Sequence, residues 1–213
     1  MAPGILLDLD RTLVDLQTYT DYAAALADVT ALVGTWAEAD VPLTDWDSAT
    51  QGCMAVLNSL VGDPRWAQVS AVVAVHERAA IPRSRAMPTL AAAVRLLHDV
   101  PTAVVTLLPT DVATSALVMH GVDVRRGGAI DLVVGRSVTE RPKPAPDGLL
   151  HACSVLGIDP RATTMIGDSS WDEAAAAAAG IAFIGVPSGT QGFREGLPVA
   201  ASLADAVRTV VGR

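Results

Sequence analysis

From Pro88 onward the chain alternates short apolar runs with helical periods, and that alternation leaves few folds open. Thr89 to His98 reads as helix and Thr102 to Leu107 as strand. Thr110 caps a helix that runs to about His120. Ile130 to Val134 reads as strand, Pro144 to Leu156 as helix and Thr163 to Ile166 as strand. Ser170 with Glu173 forms a capping box for the alanine helix that Gly180 ends. Ile181 to Val186 is a further strand, and Val199 to Val211 a final helix. Strands separated by helices of this length require right-handed crossovers, so a mainly parallel, Rossmann-like α/β sheet is expected. Gly4 to Asp10 supplies its first strand. The alternation is interrupted once, from Val14 to about Arg85, where Tyr22, Leu26, Val29, Val33 and Trp36 fall on one helical face. Helices are expected over Asp47 to Leu60 and Pro64 to Ala80, with a Pro-containing linker from Ile81 to Pro88. This reads as a core of residues 1–14 and 86–213 carrying an inserted helical cap of residues 15–85.

Asp8 and Asp10 stand two apart at the end of the first strand, so their side chains are expected on one face. In open parallel sheets that C-terminal edge is where ligands bind. Two carboxylates this close repel, and a divalent cation of the magnesium type, which prefers oxygen ligands, would compensate them. An Asp-x-Asp alone also suits a solvated turn. Thr106 ends the next strand, where, taken alone, a bare strand-end hydroxyl is the more ordinary role. Lys143 lies between Pro142 and Pro144, with Pro146 beyond, and these prolines stiffen its backbone. Gly167-Asp168-Ser169-Ser170-Trp171-Asp172 follows a strand. Asp168 needs no helical role and reads as a metal ligand, whereas Asp172 and Glu173 also suit the first turn of a helix.

Asp8-Leu-Asp10-Arg-Thr12, Thr106, Lys143-Pro144 and Gly-Asp168-Ser-x-x-Asp172, in this order, resemble the signature motifs of the haloacid dehalogenase superfamily. The likeness is greatest to the phosphoglycolate phosphatase and β-phosphoglucomutase branch. It implies an α-helical cap of the C1 type and a Mg2+-dependent phosphatase acting on a small phosphorylated metabolite. It implies Asp8 as nucleophile, Asp10 as acid and base, and Thr106, Leu107 and Lys143 as phosphate contacts. Asp8, Asp10, Asp168 and Asp172 are the implied metal site, with Asp172 also orienting Lys143, and Thr12 steadies the loop. A phosphomutase or a non-catalytic relative would share the fold. Dehalogenation is disfavoured, because a halide needs no proton from Asp10 to leave. Two positions depart from the family pattern. Arg11 stands where glycine is usual and either faces outward or reaches toward an anionic substrate. Leu107 stands where a small polar residue is common, which leaves only its backbone N–H for phosphate.

The net charge of -8 argues against nucleic acid as a partner. Cys53 and Cys153 lack ligand spacing and read as buried thiols. The first residues lack a basic n-region, and no apolar run is long enough to span a bilayer, so a cytoplasmic monomer or homodimer is expected. His76, Arg78, Arg83 and Arg85 are available in the cap but are expected at the surface. His98, His120 and His151 lack a paired acid. Gly185 to Gly192 lacks the Lys-Ser/Thr ending of a P-loop and reads as a loop bordering the site. The cap is expected to hinge near Asp15 to Thr18 and Arg83 to Met87.

Overall fold

Strand β1 (Gly4–Leu7) is buried along its whole length. Its side chains divide by the period of two. Ile5 and Leu7 join one apolar cluster and Leu6 joins another on the opposite face. A strand covered on both faces belongs at the centre of a parallel sheet. The computed structural model, which describes residues 4–36, 40–139, 141–186, 188 and 193–212, places it there. The sheet has five parallel strands in the order β5-β4-β1-β6-β7, where β4 is Thr102–Val105, β5 Leu132–Val134, β6 Thr163–Gly167 and β7 Ala182–Gly185. Helices α4 (Leu90–Leu96), α5 (Thr110–Met119) and α8 (Leu203–Val211) contribute to one cluster, and α6 (Asp147–Leu156) and α7 (Ser170–Ala179) to the other. This is the expected α/β class.

The chain runs from β1 toward β4 and β5 on one side and returns to β6 and β7 on the other. The strand order therefore reverses beside β1, where a crevice opens at the carboxyl edge. Leu7 pairs with Val104 and with Ile166, so the residues that follow β1, β4 and β6 emerge together.

Three helices occupy the insertion: α1 (Tyr22–Val33), α2 (Ser48–Ser59) and α3 (Trp66–Ala80). They share an apolar cluster that includes Tyr22, Val29, Cys53, Leu57 and Val73. Asp47 caps α2 by accepting the N–H groups of Ala49 and Thr50. The chain enters this block at Val14 without the helix that the periodicity suggested there, and leaves it through the expected linker. The two crossings pair as a short antiparallel ribbon, β2 (Val14–Asp15) with β3 (Arg85–Ala86).

Three local expectations are corrected. The first strand stops at Leu7, so Asp10 enters a turn rather than sharing the strand face with Asp8. Pro109, not Thr110, precedes α5, and the Thr110 hydroxyl accepts the Gly135 N–H instead. The capping box of α7 is formed by Ser169 and Asp172, not by Ser170 and Glu173. Glu173 pairs with Arg194.

Candidate active site

Asp8 follows β1 directly, and its N–H is held by the Ile166 carbonyl. Lys143 reaches it from the loop before α6. The Lys143 ammonium lies 2.5 Å from Asp8 Oδ1 and 2.6 Å from Asp172 Oδ1, and all three side chains are buried. Asp172 has its other oxygen on the N–H and hydroxyl of Ser169. Both of its oxygens are thus committed. Gly167 makes this fold-back possible, because a Cβ there would stand 2.6 Å from the Asp172 side chain.

Asp168 follows β6, and one of its oxygens accepts from the Ser188 hydroxyl. Asp8, Asp168 and Asp172 bring carboxylate oxygens within 4.8 Å of one another. Thr106 follows β4, and its hydroxyl accepts the Leu108 N–H, leaving its own proton to donate. Asp10 stands in the turn after Asp8, where Oδ1 accepts the N–H groups of Leu16 and Gln17 at 2.9 Å each. Asp8, Asp10, Thr106, Leu107, Lys143 and Asp168 line one cleft.

Burial dominates the electrostatics. It pushes Asp8 up to about 6, opposed by Lys143 and assisted by Asp172. It pushes Asp10 up to about 7, partly offset by the Gln17 and Leu16 N–H groups. Asp168 is raised well above the carboxylate range by burial and then by Asp8 and Asp172. Burial alone would lower Lys143, but Asp172 and Asp8 outweigh it and hold the ammonium charged. Three close acids against one ammonium, with the Arg11 guanidinium no nearer than 3.9 Å to Asp168, leave a deficit of positive charge, and hard carboxylate oxygens are the donors a Mg2+-type ion prefers. The residues present therefore fit such an ion.

Two sequence candidates behave differently. Arg11 takes φ +61°, the left-handed region where glycine is easiest, yet its side chain turns inward. It donates to the Ser188 carbonyl at 2.8 Å and approaches Asp45 at 3.5 Å and Asp168 at 3.9 Å. It is not among the residues that line the cleft. Thr12 is buried, and its hydroxyl has no partner among the described residues, so only its backbone, donating to Leu9, holds the turn. Ser188 belongs to the glycine-rich loop expected to border the site; residues 187 and 189–192 of that loop lie outside the described residues.

Tyr22 of α1, Thr50 and Met54 of α2, and Trp46 just before α2 line the same cleft. Trp171 of α7 packs on Trp46 at 5.4 Å and donates to the Pro42 carbonyl, and Ser170 donates to the Leu43 carbonyl. Another contact between these helices and the sheet has no local sequence signal. Arg136, just after β5, is fully buried and binds both oxygens of Glu77 on α3, at 2.7 and 2.9 Å. It also donates to Ser70 and to the Leu107 carbonyl. His76, Arg78, Arg83 and Arg85 stay away from the cleft; His76 pairs with Asp28 and Arg78 with Asp111. Glu77→Ala would leave Arg136 charged and unpaired, at a cost of about 3–5 kcal/mol. Chemical denaturation should show that loss, and Glu77→Leu combined with Arg136→Met should recover most of it.

A haloacid dehalogenase-like hydrolase profile matches residues 3–180. The phosphoglycolate phosphatase of Chromobacterium violaceum is 50% identical over 58 residues, 27% of this chain and 26% of that protein. The validoxylamine A 7'-phosphate phosphatase of Streptomyces hygroscopicus subsp. limoneus is 34% identical over 113 residues, 51% of each chain. The chain thus spans about a quarter to a half of the length of these relatives. A hydrolase of known structure from Pseudomonas syringae superimposes with a TM-score of 0.72, covering 98% of both chains at 21% identity, which shows a shared fold. No described helix is long and apolar enough to cross a membrane.

Proposed function

The chain belongs to the haloacid dehalogenase-like hydrolase family, and from that premise we propose that it is a Mg2+-dependent phosphatase of a small phosphomonoester. The observation that carries this reading is the Lys143 ammonium, clasped by Asp8 and Asp172 beside Asp168 at one sheet edge. A carboxylate oxygen of Asp8 attacks phosphorus, and the bond from phosphorus to the leaving oxygen breaks. Asp10 gives that oxygen a proton. Water then attacks the phosphorus of the aspartyl-phosphate, Asp10 takes its proton, and phosphate leaves with the Asp8 carboxylate restored. Raised to about 7, Asp10 can hold and release a proton near neutral pH.

Asp8, Asp168 and the Asp10 carbonyl would hold Mg2+, with Asp172 acting through Lys143. Bound there, the ion supplies Lewis-acid charge neutralisation on the transferring oxygens. Lys143, the Thr106 hydroxyl and the Leu107 N–H hold those oxygens. We assign residues 15–85 as a cap on the core of residues 1–14 and 86–213, hinged at the ribbon of β2 and β3. We assign the reaction to the cytoplasm and to a phosphorylated metabolite.

Acid quenching during turnover should leave the phosphoryl group on the peptide that carries Asp8, as read by mass spectrometry. A peptide without it, despite Mg2+-dependent release, would sink the intermediate. Asp10→Asn is expected to slow release by about 10²–10⁴-fold for an alkyl phosphate. The loss should shrink for p-nitrophenyl phosphate, whose leaving group needs no proton. Equal losses on both esters would remove Asp10 as the acid.

A further inference from the structure

The cleft has two chemically different walls. The core side carries the acids, Lys143 and Thr106. The insertion side is Tyr22, Trp46, Thr50 and Met54, with Gln17 from the entering turn, and none of these side chains is charged. Two of them have their protons committed. The Tyr22 hydroxyl donates to Glu77 and the Thr50 hydroxyl to Asp47. Toward a ligand these two therefore present lone pairs, which suit a hydroxyl and repel an anion. Gln17 adds a neutral amide, and Trp46 and Tyr22 add aromatic surface.

The nearby cations serve other partners. Lys143, the sole lysine of the chain, is held by Asp8 and Asp172. Arg136 is neutralised by Glu77. Arg11 lies against Asp45, Asp168 and the Ser188 carbonyl. Outside the described residues the sequence holds no lysine or histidine, and its one arginine is Arg213.

We propose that this wall selects a phosphate ester whose leaving group is an uncharged alcohol with an apolar face, and selects against a second anionic group. The inference rests on the phosphatase reading above. A carboxylate or second phosphate placed there would be desolvated, with the cleft's Lys143 already held by Asp8 and Asp172 and no other cation among the described lining residues, near acids that are already under-compensated. The site thereby differs in expected preference from one built for phosphoglycolate, and the described residues of this wall offer no cationic seat for the second phosphate of a bisphosphate.

The test compares kcat/KM of the full chain, with Mg2+, on phenyl phosphate and glucose 6-phosphate against phosphoglycolate and fructose 1,6-bisphosphate. At least one neutral-alcohol ester is expected to exceed both anionic ones by about 30-fold or more, reflecting the uncompensated charge. Phosphoglycolate or the bisphosphate matching the better neutral ester overturns the inference while leaving the phosphatase reading intact. Release that is absent on all four, or unchanged by Asp8→Asn, overturns the phosphatase reading itself. Met54→Lys sets an ammonium in the wall and should move the ratio about 10-fold toward phosphoglycolate. An unmoved ratio in a folded, Mg2+-responsive variant counts against the wall as selector.

Discussion

Asp8→Asn is expected to lower Mg2+-dependent phosphate release by at least about 10⁴-fold, as loss of a nucleophile does elsewhere. The same change should make the chelated protein more stable at pH 8. An amide keeps the volume and can still accept from Lys143, but it cannot form the phosphoryl anhydride. The stability gain follows from the sign of the shift on Asp8. Burial is the largest influence, Lys143 opposes it, and the net result is a pKa raised to about 6. A carboxyl group raised above its unfolded value costs stability that is absent below the unfolded value of 3.8, grows as pH rises and is complete above about pH 6. Asparagine removes that charge from among Asp168 and Asp172. A gain of about 1 kcal/mol corresponds to about 2–4 °C in a chain of this size. Thermal melts in EDTA should show the gain at pH 8 and a smaller one near pH 5, within the window between the unfolded carboxyl value of 3.8 and about 6. A variant that melts below wild type at pH 8 would show that the Lys143 attraction outweighs desolvation. Retained turnover would remove Asp8 as nucleophile.

What the sequence made legible was the set of strand ends. Asp8 and Asp168 each follow a short apolar run, and the order of the sheet brings such ends together whatever lies between them. The register of the capping box was not legible. Ser169 to Asp172 and Ser170 to Glu173 have identical spacing, and local propensity does not choose between them. The choice is made by a tertiary partner, Lys143, which takes Asp172 Oδ1 from 29 positions away, and by Gly167, which lets that carboxylate fold back. Arg136 and Glu77 are 59 positions apart and share no pattern, so only coordinates could pair them. The fold of Arg11 was half legible. Its place in a turn that favours glycine matches the positive φ, but its inward path depends on Asp45 and Ser188, both remote in sequence. One signal was present and unused. Lys143 is the sole lysine among 15 basic residues, which marks it as more than a solubilising charge.

Lys143→Ala is expected to destabilise the chelated protein by about 3–5 kcal/mol, because it leaves a fully buried Asp172 without its charge partner. Asp8 can relieve its own share by taking a proton, but Asp172 is fixed in the capping box of α7 and cannot turn to water. Added Mg2+ should restore part of the loss, since a cation returns to the cluster. Turnover should fall by at least about 10³-fold, because a preorganised positive charge at the transferring oxygens is gone. Lys143→Arg separates charge from shape. A guanidinium keeps the charge, yet it is a planar fork, whereas the ammonium sits between two carboxylates 2.5 and 2.6 Å away as a compact point charge. The arginine variant should therefore recover much of the stability in urea denaturation and little of the rate. Near wild-type kcat for Lys143→Arg would mean that charge alone suffices and that the fitted geometry around Lys143 does not set the rate.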